Sequence, residues 1–357
     1  MFVISRNTAF TYRNKLVDTK QIGSELGVRY VLEGSVRRSD SRVRITAQLI
    51  DAATDAHLWI ARFDRDTGDL FALQNEITSQ LANALGAELI AVEAARPTDD
   101  PDARDYILRG RAATLKPTSR DSYAEMISLF ERALALDPQS VEAQARLASA
   151  LANRALIGVT GSAAADITYA LAASPRYAPA HFAKGNVLRA QGRCEEAIPE
   201  FETVLSSDRN AVAVLDALAD CKFLTGSIEE VIPLEEEAIR LSPRDPGIGW
   251  WYLRIGQVRL LQSRMDEAIP WLEKARSVVP ELPFVHALLA SAYGLKGETE
   301  RAAAELAEAQ RLTGDDHFSN SARLKAFGDA RGYYRAKNID FEATYFAGLR
   351  KAGMPEE

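Results

Sequence analysis

His57, His181, His286, His317, Cys194 and Cys221 are all the histidines and cysteines of the chain. They are its first candidates for metal binding or nucleophilic chemistry. The two cysteines lack the close spacing of zinc or redox motifs and are too few for a disulfide framework. They read as small fillers of core or surface in a reducing compartment. The histidines are scattered. His57 opens an expected strand, and His181 and His286 fall on the first helices of two different helical units, so each reads as structural or superficial. Glu235-Glu236-Glu237 is a carboxylate run on an expected helix. It reads as a solvated face, since a metal site needs ligands that converge. Arg37, Arg38, Arg42 and Arg44 surround an expected hairpin turn and read as a solvated turn, not a phosphate site. The phosphate-loop, G-x-G-x-x-G, G-x-S-x-G and H-E-x-x-H patterns do not occur. The expectation is therefore a chain with no catalytic residues, no cofactor and no metal.

Bulk properties point the same way. The net charge is -7, and neither the first 95 residues nor the remainder carries an excess of Lys and Arg. That argues against nucleic acid as a partner, which would call for a basic surface. No run of 18 apolar residues is present, so no membrane span is expected. Arg6, Asn7, Arg13 and Lys15 interrupt any signal-peptide core near the start. The expected location is cytoplasmic. A chain of 357 residues has room for two domains or a repeat array.

What must position the surface is legible in two patterns. In the first 95 residues, Phe2-Val3-Ile4-Ser5 reads as a strand, and Asp18 to Leu26 as a short helix ended by Gly27. Tyr30, Leu32, Gly34 and Val36 alternate with polar residues, as do Val43, Ile45, Ala47 and Leu49, and His57 to Phe63 forms a third strand. Alternation of period two marks half-buried strands, here an antiparallel meander with turns at Ser39–Ser41 and Asp51–Asp55. Leu70, Leu73, Ile77, Leu81, Leu85 and Leu89 then mark one face of a helix, capped by Asp66 or Thr67, that lies on the meander.

The stretches "VISRNTAFTYRNK", "IGSELGVRYVLEGSVRRSDSRVRITAQLIDAATDAHLW" and "RFDRDTGDLFALQNEI" resemble the second half of the TolB-amino-terminal-like (FlgO-like) α/β domain. The resemblance implies a domain that precedes tetratricopeptide repeats in bacterial proteins. In those proteins it follows a class III adenylate or guanylate cyclase domain or a winged-helix DNA-binding domain. The family's opening strand, glycine loop and long helix have no counterpart here. The resemblance thus implies an N-terminally incomplete domain whose Phe2–Ser5 strand leaves an uncovered sheet face or edge, a surface for homo-oligomers.

After a polar, proline-bearing linker at 96–101 the chain repeats itself. A small residue in a first helix, a turn residue, a small residue in a second helix, a larger one and another small one recur. They fall at Gly185, Gly192, Ala197, Phe201 and Val204, then at Ala219, Gly226, Val231, Glu235 and Ala238. The next copies have Gly256, Ser263, Ala268, Leu272 and Ala275, then Ala290, Gly297, Ala302, Leu306 and Ala309. Pro138, Pro175, Pro243 and Pro280 close units. This is the tetratricopeptide pattern of about 34 residues per helix-turn-helix. About six units are expected over 102–318, with capping helices over 319–357. The closing "YFAGLRKAGMPE" resembles the tail of the same cyclase-associated repeat proteins. The expected fold is mostly α: a solenoid of tetratricopeptide repeats after a small, incomplete α/β domain over 1–95.

Small residues at Gly185, Ala197, Ala219, Ala238, Gly256, Ala268, Ala275, Ala290 and Ala302 let helices approach, and Phe201, Leu272 and Leu306 fill the gap to the next unit. The first helices should line a groove with Phe182, Asn186, Arg189, Asp216, Asp220, Phe223, Trp250, Leu253, Gln257, Leu260, Phe284 and Ser291. Of the tryptophans there, Trp251 and Trp271 should pack between units, with Trp250 exposed. The mix of Arg189 with Asp216 and Asp220 excludes a simple clamp for a C-terminal carboxylate. The function expected is a non-catalytic scaffold that holds a protein or peptide in this groove, in bacterial signal transduction. One alternative is the regulatory arm of a cyclase or winged-helix regulator, implied by the resemblance. Others are a small-ligand sensor at the junction of the α/β domain and the repeats, and an enzyme with convergent polar residues in a pocket.

Overall fold

The computed structural model describes residues 4–12, 17–39, 42–66, 70–117, 119–156, 177–313, 317–330 and 339–357. The chain divides into two compact units, Met1–Glu93 and Ala94–Glu357.

In the first unit Ser5 accepts a hydrogen bond from the Thr8 amide and caps helix α1, Arg6–Phe10. Ile4 and Ser5 are therefore not strand, contrary to the sequence reading; Phe2 and Val3 lie outside the described residues. Helix α2, Thr19–Leu26, is capped by Asp18 and ended by Gly27 at φ 61°. Strands β1 (Tyr30–Arg38), β2 (Arg42–Asp51) and β3 (Ala56–Asp66) form an antiparallel sheet in the order β1-β2-β3. Val36 pairs with Ile45, and Ile45 with Phe63, which brings the alternating apolar residues to one face. Ile77 of helix α3, Leu70–Ala94, packs there against Val43 and Phe63. The far end of α3 is tied to β1, where the Tyr30 hydroxyl donates to Glu93 and Arg29 pairs with Glu93 at 3.2 Å. Among the described residues β1 is an edge strand, and its Leu32 and Val36 remain 50% and 68% exposed. The expected turn at Asp40-Ser41, the Thr67 cap and the side chains of Leu70 and Leu73 lie outside the described residues.

The second unit is a stack of helix pairs. First helices are α4 (Ala103–Ala113), α6 (Val141–Leu156), α7 (Ala178–Ala190), α9 (Val212–Thr225), α11 (Ile248–Leu261) and α13 (Pro283–Lys296). Second helices are α5 (Arg120–Leu136), α8 (Cys194–Ser207), α10 (Ile228–Leu241), α12 (Met265–Val278) and α14 (Thr299–Thr313). The stretch in which the sequence reading places a partner for α6, with Pro175, lies outside the described residues. One pair cannot bury its own apolar face, so the core is continuous only because pairs stack. Gly185, Ala197, Phe201, Ala219, Ala238, Gly256, Ala268, Ala275, Ala290 and Ala302 are all buried. Phe201 fills space within its own pair as well as toward the next. A Cβ on Gly185 would lie 2.8 Å or less from three of its ring carbons. Gly256 stands in the same relation to Leu272, and Gly110 to Phe130.

Between the helices of a pair the turn residue is left-handed: Gly192, Gly226, Ser263 and Gly297 have φ of 74°, 89°, 59° and 83°. Another polar device joins successive pairs. Gln144 Nε2 donates to the Pro138 carbonyl, and His286 Nε2 contacts the Pro280 carbonyl, both at 2.8 Å. In each case a side chain on a first helix satisfies the carbonyl of the proline that closes the preceding pair.

The tail forms helix α15 (Ser321–Ala330), a π-helical turn at Glu342–Phe346 and helix α16 (Ala347–Lys351). Phe341, Tyr345, Phe346, Leu349 and Met354 are buried in the same core cluster as Leu253, Leu260 and Leu289. Full burial of each such side chain is worth about 1.5–3 kcal/mol, so the tail is part of the folded stack.

Candidate functional site

The face made by the first helices is closed at its C-terminal end by the tail. Ser291 Oγ on α13 donates to the Tyr345 carbonyl at 2.9 Å. Gly294 and Gly348 pack backbone to backbone, so a Cβ on Gly294 would collide with the Gly348 carbonyl oxygen. Phe341 reaches back to Phe223 on α9, with ring centroids 6.3 Å apart and edge-on geometry. The small side chains of Gly294 and Ser291 on α13 are what admit this backbone.

The tail and core packing correct part of the expected groove. Phe223, Leu253, Leu260 and Ser291 are buried, the first three in the cluster that includes the tail and Ser291 beneath it. Phe284 packs against Phe318 and Phe327 at centroid distances of 5.4 and 6.3 Å. Phe182 leans on Phe201. Trp251 is buried, as expected, while Trp250 is half-buried against the cluster of Leu215, Leu241 and Trp251, not exposed. Trp271 lies against Tyr252, the rings tilted at 41° with centroids 5.7 Å apart. Asn186 is fully buried, and neither its Oδ1 nor its Nδ2 has a partner among the described residues. Phe182, Asp216, Trp250 and Gln257 keep partial exposure on the uncovered part of the face.

At the middle of that face lies a charge network the sequence reading missed. Arg254 Nη1 pairs with Asp216 at 2.7 Å, and its Nη2 with Asp220 at 3.1 Å. Arg254 also pairs with Glu235 from the second helix of the preceding pair. Asp220 lies 3.5 Å from Arg189, whose other amine donates to Asn153 Oδ1 at 2.8 Å. Four successive pairs, from α6 to α11, are thereby linked. Glu235 is fully buried, which corrects the reading of Glu235–Glu237 as a solvated run. Burial pushes its carboxyl up to about 8, against the pull of Arg254. The signal was present in the repeat: Glu235 occupies the place of Phe201, Leu272 and Leu306, and a carboxylate in a core position must find a cation.

A second surprise is the cysteine pair. Cys221 on α9 and Cys194, the first residue of α8, are both buried, and their sulfurs are 2.7 Å apart. The contact with Cys194, together with burial, pushes the Cys221 thiol up. Two of the histidines meet carboxylates. His181 Nδ1 is 2.6 Å from Glu200, and His286 Nδ1 is 2.6 Å from Glu305. Among the described residues no three His, Cys, Asp or Glu side chains gather as a metal site. No helix among them is long and apolar enough to cross a membrane.

The tetratricopeptide repeat family model matches residues 157–212 and 182–246. A Rhizobium meliloti (strain 1021) protein named "Putative adenylate cyclase 3" is 44% identical over 151 residues, or 41% of this chain. The match spans 26% of that protein's length. Among solved structures, the human IFIT1 dimer with m7Gppp-AAAA is similar with a TM-score of 0.50 and 15% identity, over 70% of this chain and 57% of that one. Pseudomonas aeruginosa PilF is similar with a TM-score of 0.46 and 19% identity, over 64% of this chain and 97% of that one. These structural likenesses concern the fold.

Proposed function

We propose that this chain is a non-catalytic interaction module of bacterial signal transduction. Its first-helix face holds a peptide segment of a protein partner beside Phe182, Asp216, Trp250 and Gln257. The observation that carries this reading is the hydrogen bond from Ser291 to the Tyr345 carbonyl, beside the Gly294–Gly348 approach. At its C-terminal end the face already accepts a helical turn of the chain's own tail through both backbone and aromatic contacts. The test is selection of binding peptides from a displayed library against the full chain, followed by calorimetric titration of an enriched peptide. Trp250→Ala and Gln257→Arg should each weaken binding at least tenfold while melting like the parent. Failure to enrich any sequence, or unchanged affinity in both variants, would sink the reading.

A second reading is that the module is the regulatory arm of a nucleotide cyclase. It is favoured by the 44% identity to the Rhizobium meliloti protein and by the resemblance of residues 1–95 to the TolB-amino-terminal-like domain. Reading the genomic sequence upstream of the Met1 codon tests it. An in-frame cyclase catalytic domain is the expected result, and an unrelated gene would count against it. The edge strand β1, with exposed Leu32 and Val36, is proposed as a self-association surface.

A further inference from the structure

We propose that Cys194 and Cys221 are a thiol-oxidation site, at which hydrogen peroxide converts the pair into a disulfide that staples the third repeat to the fourth. The two sulfurs are 2.7 Å apart, and the bond, about 2.05 Å long, asks for a movement of roughly 0.7 Å. The cysteines sit on different helices, at the start of α8 and in the last turns of α9, on either side of one repeat interface. They are enclosed by Leu188, Ala197, Phe201, Leu218 and Ala217, so neither thiol has another sulfur or a metal to react with among the described residues.

The chemistry balances with the peroxide as oxidant. The Cys194 sulfur, less deeply buried than Cys221 at 4% against 0%, attacks a peroxide oxygen as thiolate. The O–O bond breaks, Cys194 becomes a sulfenic acid, and hydroxide leaves to take up the thiol proton as water. The Cys221 sulfur then attacks the Cys194 sulfur, the S–O bond breaks, and the departing hydroxide takes up the Cys221 proton as a second water. Two thiols are oxidised by two electrons, and one peroxide is reduced to two waters. Adjacency of the second thiol favours the disulfide over further oxidation of the sulfenic acid.

The consequence reaches the charge network. Cys221 follows Asp220, which bridges Arg189 and Arg254. A cross-link at Cys221 therefore fixes the interface on which that network depends. Stacked repeats bend at their interfaces, and this one would be held in a single arrangement in the oxidised form.

The full chain, fully reduced and then exposed to hydrogen peroxide, is denatured in N-ethylmaleimide and weighed intact. The expected oxidised product has lost two hydrogen atoms and takes up no maleimide, whereas the reduced chain takes up two. Protease digestion should give one cross-linked peptide joining Cys194 to Cys221, released by dithiothreitol. The oxidised chain should melt higher by roughly 5–10 °C, and Cys194→Ser and Cys221→Ser should each abolish that rise. Two maleimide adducts after peroxide, or sulfinic acid at either cysteine without the cross-linked peptide, would overturn the proposal. The mass measurement on the parent chain decides even if a serine variant does not fold.

Discussion

Arg254 on α11 and Glu235 on α10 are ion-pair partners across a repeat boundary, and Glu235 occupies the core position that other repeats fill with Phe201, Leu272 or Leu306. One arginine thus serves three carboxylates, and the buried one is the carboxyl that burial pushes up to about 8. An acid whose folded value lies above its ordinary 4.5 stabilises the fold fully below 4.5, and that contribution is lost as pH rises through about 8. Urea midpoints of the parent should fall between pH 5 and pH 8, and Glu235→Gln should flatten that slope. Arg254→Ala leaves buried Glu235 without its cation and removes the one that Asp216 and Asp220 share with it, and should cost about 3–5 kcal/mol. An unchanged pH slope in Glu235→Gln would show that Glu235 is ionised throughout.

His286 adds a pH dependence of the same sign by another route. Burial lowers the affinity of its ring for a proton, but the bonds to Glu305 and the Pro280 carbonyl outweigh this and hold it above the ordinary 6.5. Both ring nitrogens face acceptors, so the charged ring satisfies both. Its contribution is full below 6.5 and is lost as pH rises through the raised folded value. NMR titration should place His286 above 6.5. His286→Gln, which copies Gln144 against Pro138, should fold and lose this pH dependence.

The turn between α11 and α12 carries Ser263 at φ 59°, where the equivalent turns carry Gly192, Gly226 and Gly297. The left-handed conformation crowds a Cβ, so Ser263→Gly should stabilise the chain by about 0.5–1 kcal/mol. Gly185→Ala should do the reverse, by about 1–3 kcal/mol, because its Cβ meets the Phe201 ring. Denaturant melts of the two variants measure both.

Leu349 is fully buried in the cluster that joins the tail to the stack. Leu349→Ala should cost about 2–5 kcal/mol, and limited proteolysis should then cut the tail sooner than in the parent. Equal stability would mean that the tail is only lightly held on the first-helix face.

Leu32 and Val36 present an apolar strip on β1, an edge strand of the sheet among the described residues. If that edge mediates self-association, Leu32→Lys with Val36→Lys should lower the sedimentation coefficient at high protein concentration without lowering the melting temperature. A parent that sediments as a monomer at all concentrations would remove the basis for this surface.

The repeat was legible because its signals are local. Small residues such as Gly185 and Ala197, the turn at Gly192 and the closing prolines each act on backbone within one helix pair. The meander was legible for the same reason, since Val43, Ile45 and Ala47 declare their face by alternation alone. The groove residues were legible only as positions on first helices. Whether such a position is open depends on chain that arrives from far away: Phe341 covers Phe223, and Tyr345 covers Ser291. The pairing of Arg254 with Glu235 and the contact of Cys194 with Cys221 also cross repeat boundaries. The sequence by itself determined the helix pairs, their stacking and the sheet, because each follows from periodicity and from turns that short segments encode. Only the tertiary structure decided which part of the first-helix face stays open and which charges and thiols meet. Those outcomes depend on the register in which one pair packs on the next and on where the tail returns.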